Sequence, residues 1–417
     1  GHNVEVASIA YFDFDGMVDV RVISNKERVN SARVRPLSYK ITPDCVGDTV
    51  TFSLSHPRNL SVEVNGDIFH NLHLFANPID KFRPSDKEIK RALKKKKGSN
   101  LIYFGPGVHN LPNDTLFVPS GTTVYIDGGA RVYGNIFTEG AHDVNIFGRG
   151  EVHPDGRGAG VWVRRSKNVR IDGIVVSQLP IGQCDSVELT NVKSISYYGW
   201  GDGMDVFSSS NVILDGVFCR NSDDCTAVYA STQGFKGGSN NVLVKNATLW
   251  ADVAHPINIG GHGDPNGMDT VQNVTFRNID ILDQAEKQID YQGCLAINPG
   301  DNTLVRNITF ENIRIEDFRN GQLVNFRISF NPKYCVSTGR GIHNVLVKDV
   351  TYNGSGENLS IIAGYDENHK ISGIRFVNLV VNGRKITDDM PGKPKWYKTG
   401  DMAGIFIGEH VENISFE

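Results

Sequence analysis

From about residue 100 onward, short β-branched runs recur along the chain, each introduced by a polar residue. They read Thr123-Val124-Tyr125-Ile126, Asp143-Val144-Asn145-Ile146, Asn168-Val169-Arg170-Ile171 and Ser186-Val187-Glu188-Leu189. Asn211-Val212-Ile213-Leu214, Asn241-Val242-Leu243-Val244, Asn273-Val274-Thr275-Phe276 and Asn307-Ile308-Thr309-Phe310 continue the series. Asn344-Val345-Leu346-Val347, Gly373-Ile374-Arg375-Phe376 and Asn413-Ile414-Ser415-Phe416 close it. The steps are roughly 20–35 residues, the range of solenoid repeats. Apolar and polar positions alternate within each run, which marks a strand with one face inward. Second runs follow many of the first, as in Asn278-Ile279-Asp280-Ile281 and Asn312-Ile313-Arg314-Ile315. Several strands per repeat therefore fit better than one strand plus a helix. The pattern predicts an all-β chain dominated by a parallel β-helix.

The first 80 residues follow another rhythm. Val4-Glu5-Val6, Val18-Asp19-Val20-Arg21-Val22, Val50-Thr51-Phe52-Ser53-Leu54 and Leu60-Ser61-Val62-Glu63-Val64 alternate with period two. Turn-rich pieces such as Asn65-Gly66-Asp67 separate them. These features predict a small antiparallel β-sandwich over residues 1–80 and a β-helix over 81–417. The open end of a β-helix needs a cover. Ser85-Asp86-Lys87-Glu88 reads as a capping box. Ile89, Ala92 and Leu93 form an apolar stripe, and Gly98 offers a stop. A helix over about 85–97 is expected to close the first coil. The basic run Lys94 to Lys97 reads as a solvated face favoured by the helix dipole.

The candidate chemistry lies in two acidic segments, Gly201-Asp202-Gly203-Met204-Asp205 and Asn221-Ser222-Asp223-Asp224-Cys225. They are about one repeat apart. Coils of a β-helix stack at about 4.8 Å, so Asp202 is expected one rung below Asp223 and Asp224 on the same wall. Adjacent residues of a regular strand face opposite sides, so a bend or bulge is expected to turn both members of the doublet outward. Carboxylates held that close repel and shift one another's pKa. Such a cost points to acid–base chemistry rather than architecture. One carboxyl that keeps its proton beside ionised neighbours becomes a general acid near neutral pH. Asp205 reads as a ligand to sugar hydroxyls or as a turn residue.

One longer coil beyond the doublet comes Ala254-His255-Pro256-Ile257-Asn258-Ile259-Gly260-Gly261-His262-Gly263. His255 is expected to orient or tune an acid from the next rung. His262 reads as a loop residue, and without a His-x-x-x-His helix neither histidine predicts a zinc site. Trp162, Tyr197, Tyr198, Trp200, Phe207, Tyr229, Trp250 and Tyr291 cluster around these segments. Sugars stack on such rings, and aromatics alternating in strands are equally core, so about half are expected to line a cleft. Trp200, Tyr229, Trp250 and Tyr291 are the expected platforms.

Composition narrows the classes. The net charge of −4 offers no general attraction to nucleic acid. No apolar stretch is long enough to span a membrane. Gly1-His2 reads as a cloning remnant, so a leader is expected to have been removed, with the protein periplasmic or extracellular. The six cysteines match no zinc spacing and are expected to be buried free thiols. No metal or other cofactor is expected. Eight Asn-x-Ser/Thr sequons occur, starting at Asn59, Asn113, Asn246 and Asn273, and several fall at strand beginnings, where a buried Asn ladder would explain them without glycans.

With these motifs in view, the chain resembles the right-handed parallel β-helix glycoside hydrolases of family 28 (polygalacturonases) and family 49 (dextranase and isopullulanase). Family 28 carries Asn-Thr-Asp-Gly-x-Asp, Asp-Asp-Cys and Gly-His-Gly-x-x-x-Gly. The matching stretches here are Trp200 to Asp205, Asp223-Asp224-Cys225 and Ala254 to Gly260. The resemblance implies an inverting hydrolase with Asp223 as general acid, Asp202 and Asp224 holding and deprotonating the water, and His255 assisting. Two stretches depart from family 28. Trp200-Gly201 replaces Asn-Thr. Gly293 to Asn298 lacks the Arg-Ile-Lys that grips a galacturonate carboxylate, and without it an acidic substrate loses its main anchor. Family 49 is similar in layout, pairing a β-sandwich with a β-helix, and Asn59 to Gly66 with His73 to Asn77 resembles its N-terminal domain. The expected partner is a neutral polysaccharide or oligosaccharide, with a dextran-like α-glucan first. A uronic-acid glycan gripped by Arg327, Lys333 or Arg165 is the alternative enzyme reading. A non-catalytic carbohydrate-binding β-helix is the alternative of another class.

Overall fold

The computed structural model describes residues 8–94, 98–154, 156, 158–355 and 357–417. The expected strand Val4-Glu5-Val6 and the lysines 95–97 lie outside them. The chain forms two compact units, Gly1–Arg83 and Pro84–Glu417. Among the described residues, no helix is long and apolar enough to cross a membrane.

The described residues of the first unit form two sheets. Ser8–Phe14, Asp67–Pro78, Arg58–Val64 and Ala32–Arg35 form one, and Val18–Ile23, Thr49–Leu54 and Asp44–Val46 form the other. Val20, Val50, Phe52, Leu60, Val62 and Leu74 meet in a single core. The sandwich is mixed rather than antiparallel, because Ser8–Phe14 runs parallel to Asp67–Pro78. Alternation fails in Arg58–Val64, where Ser61 and Glu63 are buried as well. Glu63 is held there by Arg33 at 2.6 Å and Arg35 at 2.9 Å. A buried charge persists only when paired in this way.

In the second unit the capping box forms as the sequence predicts. Ser85 Oγ accepts from the Glu88 amide and Glu88 Oε2 accepts from the Ser85 amide at 2.8 Å. The helix spans Asp86–Leu93 and packs against the strand Leu101–Phe104. It is shorter than expected, and Leu93 stays 62% exposed. Ile89 and Ala92 alone turn inward, to half-burial.

The remainder is a right-handed parallel β-helix, one ladder of 29 strands among the described residues. From Asp143 onward the runs seen in the sequence stack on one another in register, while Thr123–Ile126 pairs two residues further along, with Asn145 to Gly148. Val144, Val169, Val187, Val212, Val242, Val274, Ile308, Val345, Ile374 and Ile414 form one inward column. Burying each such side chain is worth about 1.5–3 kcal/mol of transfer free energy.

The polar residue before each run has a backbone reason. Asp143, Asn168, Ser186, Asn211, Asn241, Asn273, Asn307, Asn344 and Asn413 have φ between 53° and 61°. This left-handed conformation turns the corner of a coil, and Asn tolerates it better than other residues with a Cβ. Asn246, Asn278, Asn312 and Asn378 make a second such corner. Several of these amides bond the preceding rung: Asn241 donates to Asn211 at 2.7 Å, Asn307 to Asn273 at 3.1 Å and Asn278 to Asn246 at 2.7 Å. The expected Asn ladder therefore exists, but it is exposed rather than buried, because the corner carries the side chain outward.

Candidate active site

The acidic segments sit on a different wall of the same coils. Its successive rungs are Val206–Phe207, Thr226–Tyr229, Ile257–Ile259, Leu295–Ile297 and Val324–Arg327. Val206, Val228, Ile257, Ile259 and Val324 point into the core. The alternate positions face outward. Pairing of Ala227 with Asn258, Asn258 with Ala296 and Ala296 with Asn325 makes an outward column, and Asp205 stands one rung below Ala227.

The two acidic segments are adjacent rungs. The Gly203 amide donates to the Asp224 carbonyl at 2.8 Å and the Met204 amide to the Cys225 carbonyl at 2.9 Å. A Cβ on Gly203 would lie 2.2 Å from that Cys225 oxygen, so only glycine allows this approach. Met204 and Cys225 turn into the core. Residues 222–225 leave the strand conformation between Phe218–Asn221 and Thr226–Tyr229. This bend lets Asp223 and Asp224 both face the wall, and the Asp224 amide donates to Asp223 Oδ1 at 3.1 Å.

Asp224 is buried and fully coordinated. Its Oδ1 accepts from the His255 amide at 3.1 Å and pairs with His255 Nδ1 at 2.7 Å. Its Oδ2 accepts from Tyr229 Oη at 2.8 Å and from Asn258 Nδ2 at 2.8 Å. Burial pushes its pKa up, but His255 and these donors outweigh it and hold the carboxyl below its usual range. Asp223 keeps partial solvent access. Its burial, and then the charge of Asp224, push its pKa up to about 7. Asp202 is also half-buried, and burial followed by the charges of Asp205, Asp223 and Asp224 drives it well above the carboxylate range. Asp205, 2% exposed, is raised in the same way by burial and Asp224, and it is hydrogen-bonded to Asp202. Its Oδ1 has no partner among the described residues.

His255 is fully buried under the ring of Tyr291, whose centroid lies 4.4 Å away. Tyr291 stacks in turn on Tyr334 at 5.3 Å. Next to the Asp224 partners Tyr229 and Asn258, a cavity of about 60 Å³ opens between Tyr229, Asn258, His262, Tyr291, Asn298 and Tyr334.

The structure thus brings together Asp202, Asp205, Asp223, Asp224, His255, Tyr229 and Tyr291. Four expectations need correction. Trp250 is fully buried on another wall, within Thr248–Ala251, with the Arg220 guanidinium 4.1 Å above its ring. It cannot stack a sugar. Tyr229 is 8% exposed, and its hydroxyl serves Asp224 rather than a ligand. Asp205 is too deep to meet a sugar hydroxyl. Arg327 is tied to Asp290 at 2.5 Å, which blunts it as a free cation. Trp200 is 76% exposed, immediately before the Gly201-Asp202 pair. All six cysteines are free thiols, but Cys45 and Cys335 are only half-buried.

Asn258, Tyr334 and Glu286 were missed. Asn258 shares the outward phase of Ala227, so the repeat itself carried a signal. Tyr334 lies in a loop, without that phase. Glu286, 5% exposed, has a charge that raises the Asp223 pKa, and it lies past the end of the strand Thr270–Gln284.

Residues 161–391 match the family model Glycosyl hydrolases family 28. The chain belongs to glycosyl hydrolase family 28. A polygalacturonase of Juniperus ashei is 27% identical over 219 residues, covering 50% of this chain and 39% of that protein. The probable endopolygalacturonase D of Neosartorya fischeri is 24% identical over 295 residues, covering 60% and 57%. The chain therefore spans about half the length of these relatives. Among solved structures, Dex49A from Penicillium minioluteum aligns with a TM-score of 0.64 at 14% identity, covering 98% of this chain and 83% of that one. The family 28 exopolygalacturonase of Yersinia enterocolitica aligns at 0.56 and 14%, covering 88% and 86%. At that identity the likeness establishes the shared right-handed β-helix fold.

Proposed function

We propose that this family 28 member hydrolyses a polysaccharide outside the cytoplasm by single displacement with inversion at the anomeric carbon. The carrying observation is the pair of neighbouring carboxyls whose environments push them apart. Asp223 is raised to about 7 while four donated or shared hydrogen bonds keep Asp224 ionised. A split of that kind assigns acid and base roles. Asp223 gives its proton to the glycosidic oxygen as the bond to C1 breaks. Water attacks C1 from the opposite face, held by Asp202 beside the ionised Asp224, and loses its proton to Asp202. The hydrogen-bonded Asp202–Asp205 pair retains a proton. With that proton on the buried Asp205, Asp202 presents a carboxylate to the water. His255, Tyr229 and Asn258 act through Asp224 and are positioning residues.

A neutral glycan is the first substrate reading, with a dextran-like α-glucan at its head. It is supported by the amide and phenol lining of the cavity and by Ala296 and Asn298 on the wall. A uronic-acid glycan is the second. Family membership and relatives named polygalacturonase favour it, and so does Lys333, which is close enough to feel the charge of Asp223. Dextran, pullulan, galactan and polygalacturonate, assayed for new reducing ends with NMR of the first anomer released, separate these readings. Release of the retained anomer overturns the mechanism. Binding without any turnover on the panel favours a non-catalytic carbohydrate-binding β-helix.

A further inference from the structure

A second cluster borders the same cavity through His262 and Cys335. His262, Asp301 and Cys335 each offer one ligand atom, and the three atoms lie within 4.8 Å of one another. They come from separate parts of the chain. His262 follows the rung Ile257–Ile259, Asp301 follows the rung Leu295–Ile297, and Cys335 lies in the loop after Val324–Arg327. We propose that His262, Asp301 and Cys335 form a binding site for a thiophilic divalent cation, Zn²⁺ in particular, that staples the Asn331–Cys335 loop to the wall.

Three features support a built site. The first is the donor set: one imidazole, one carboxylate and one thiolate suit zinc with a fourth position left open. His262 and Cys335 border the cavity, which supplies both an entry path and space for a water at that position. The second is the outer support. The Tyr334 backbone hydrogen-bonds the His262 ring, which leaves the other ring nitrogen for a metal. Asp301 Oδ1 accepts from the Val336 amide at 2.7 Å and the Ser337 amide at 3.4 Å, which orients the carboxylate and leaves Oδ2. Ligands of real metal sites are held in this way. The third is proximity: the three donor atoms lie within 4.8 Å of one another, and tetrahedral zinc bonds of roughly 2.0–2.3 Å place donors about 3.3–3.8 Å apart, which side-chain adjustment reaches.

Without the cation the Cys335 thiol donates to the Gly261 carbonyl at 3.3 Å, and burial holds its pKa at about 12. On binding, the S–H proton leaves to solvent and a sulfur–zinc bond takes its place, as for any coordinated thiol. The loop so fixed carries Tyr334, which stacks on Tyr291 above His255. The cation would rigidify one rim of the cavity without entering the proton transfers.

The test uses the full chain stripped with chelator. Titration with Zn²⁺ by calorimetry, and with Cd²⁺ followed by the thiolate charge-transfer band, is expected to give one equivalent bound. Cys335→Ser abolishes the band and weakens Zn²⁺ binding by at least about 10-fold, while Cys45→Ser retains both. Absence of binding, or a band that survives Cys335→Ser, overturns the proposal. If that variant fails to fold, alkylation of Cys335 in the wild-type chain is followed by peptide mass spectrometry. Zn²⁺ is expected to slow it at least about 10-fold, and an unchanged rate overturns the site.

Discussion

The same coils carry two kinds of stacked polar column, and they behave oppositely. At the corners, Asn stacks on Asn in the open, and amides such as Asn241, Asn278 and Asn307 give an N–H to the Asn oxygen of the preceding rung. On the wall, Asp stacks beside Asp under partial or full burial, and each raises the proton affinity of another. A solenoid sets like against like from rung to rung. An amide holds both donor and acceptor, so self-stacking satisfies it. An ionised carboxylate only accepts, so self-stacking repels. The corner column stabilises the coil, and the wall column costs stability that chemistry alone justifies.

The sharpest way to break that contrast is Asp223→Asn. Loss of the general acid is expected to lower kcat by about 10²–10⁴-fold, with oligosaccharide binding retained in an equilibrium assay. Unchanged turnover would remove Asp223 from the mechanism.

His255→Ala comes next. It deletes a partner of a fully buried carboxylate, so kcat should fall while Asp224 regains a higher proton affinity. The low-pH limb of the rate profile should then move upward, a shift that loss of packing alone does not produce.

The wild-type pH profile gives an intermediate effect. The acid must be protonated, so kcat/KM is expected to decline as pH rises through about 7. The same group links stability to pH. Its pKa is raised from 3.8 to about 7 on folding, so the folded state binds the extra proton. That contribution is complete below about 3.8 and is lost as pH rises towards 7. Asp223→Asn should therefore raise Tm at pH 8 and change it little at pH 4. A lower Tm at pH 8 would mean that the doublet is not under electrostatic strain.

The smallest effect belongs to the corner. Asn273→Ala removes two bonds, one donated to Asn240 and one accepted from Asn307, and should cost about 0.5–1.5 kcal/mol for each in denaturant unfolding, with kcat unchanged.

Much of this was legible in the residues. The inward column from Val144 to Ile414 is the sequence pattern itself, because a strand's side chains alternate with period two whatever surrounds them. The acidic segments could be assigned to neighbouring rungs because a repeat keeps its phase. Burial was less legible. Trp250 and Trp200 are both tryptophans near the acidic segments, yet one lies under Arg220 and the other in solvent. Tyr229 looked like a platform and proved to be a ligand of Asp224. Exposure depends on what the loops of other rungs cover, and loops lack the repeat that makes the strands readable.

The amino-acid order alone determined the β-helix, its Asn corners and the rungs that hold the acids, because each follows from local periodicity and backbone preference. The tertiary structure alone decided which carboxyl keeps a proton and which aromatic meets solvent. It also decided that His262, Asp301 and Cys335 converge. Desolvation and charge coupling depend on distances between rungs and loops, and those distances exist only once the coils have closed.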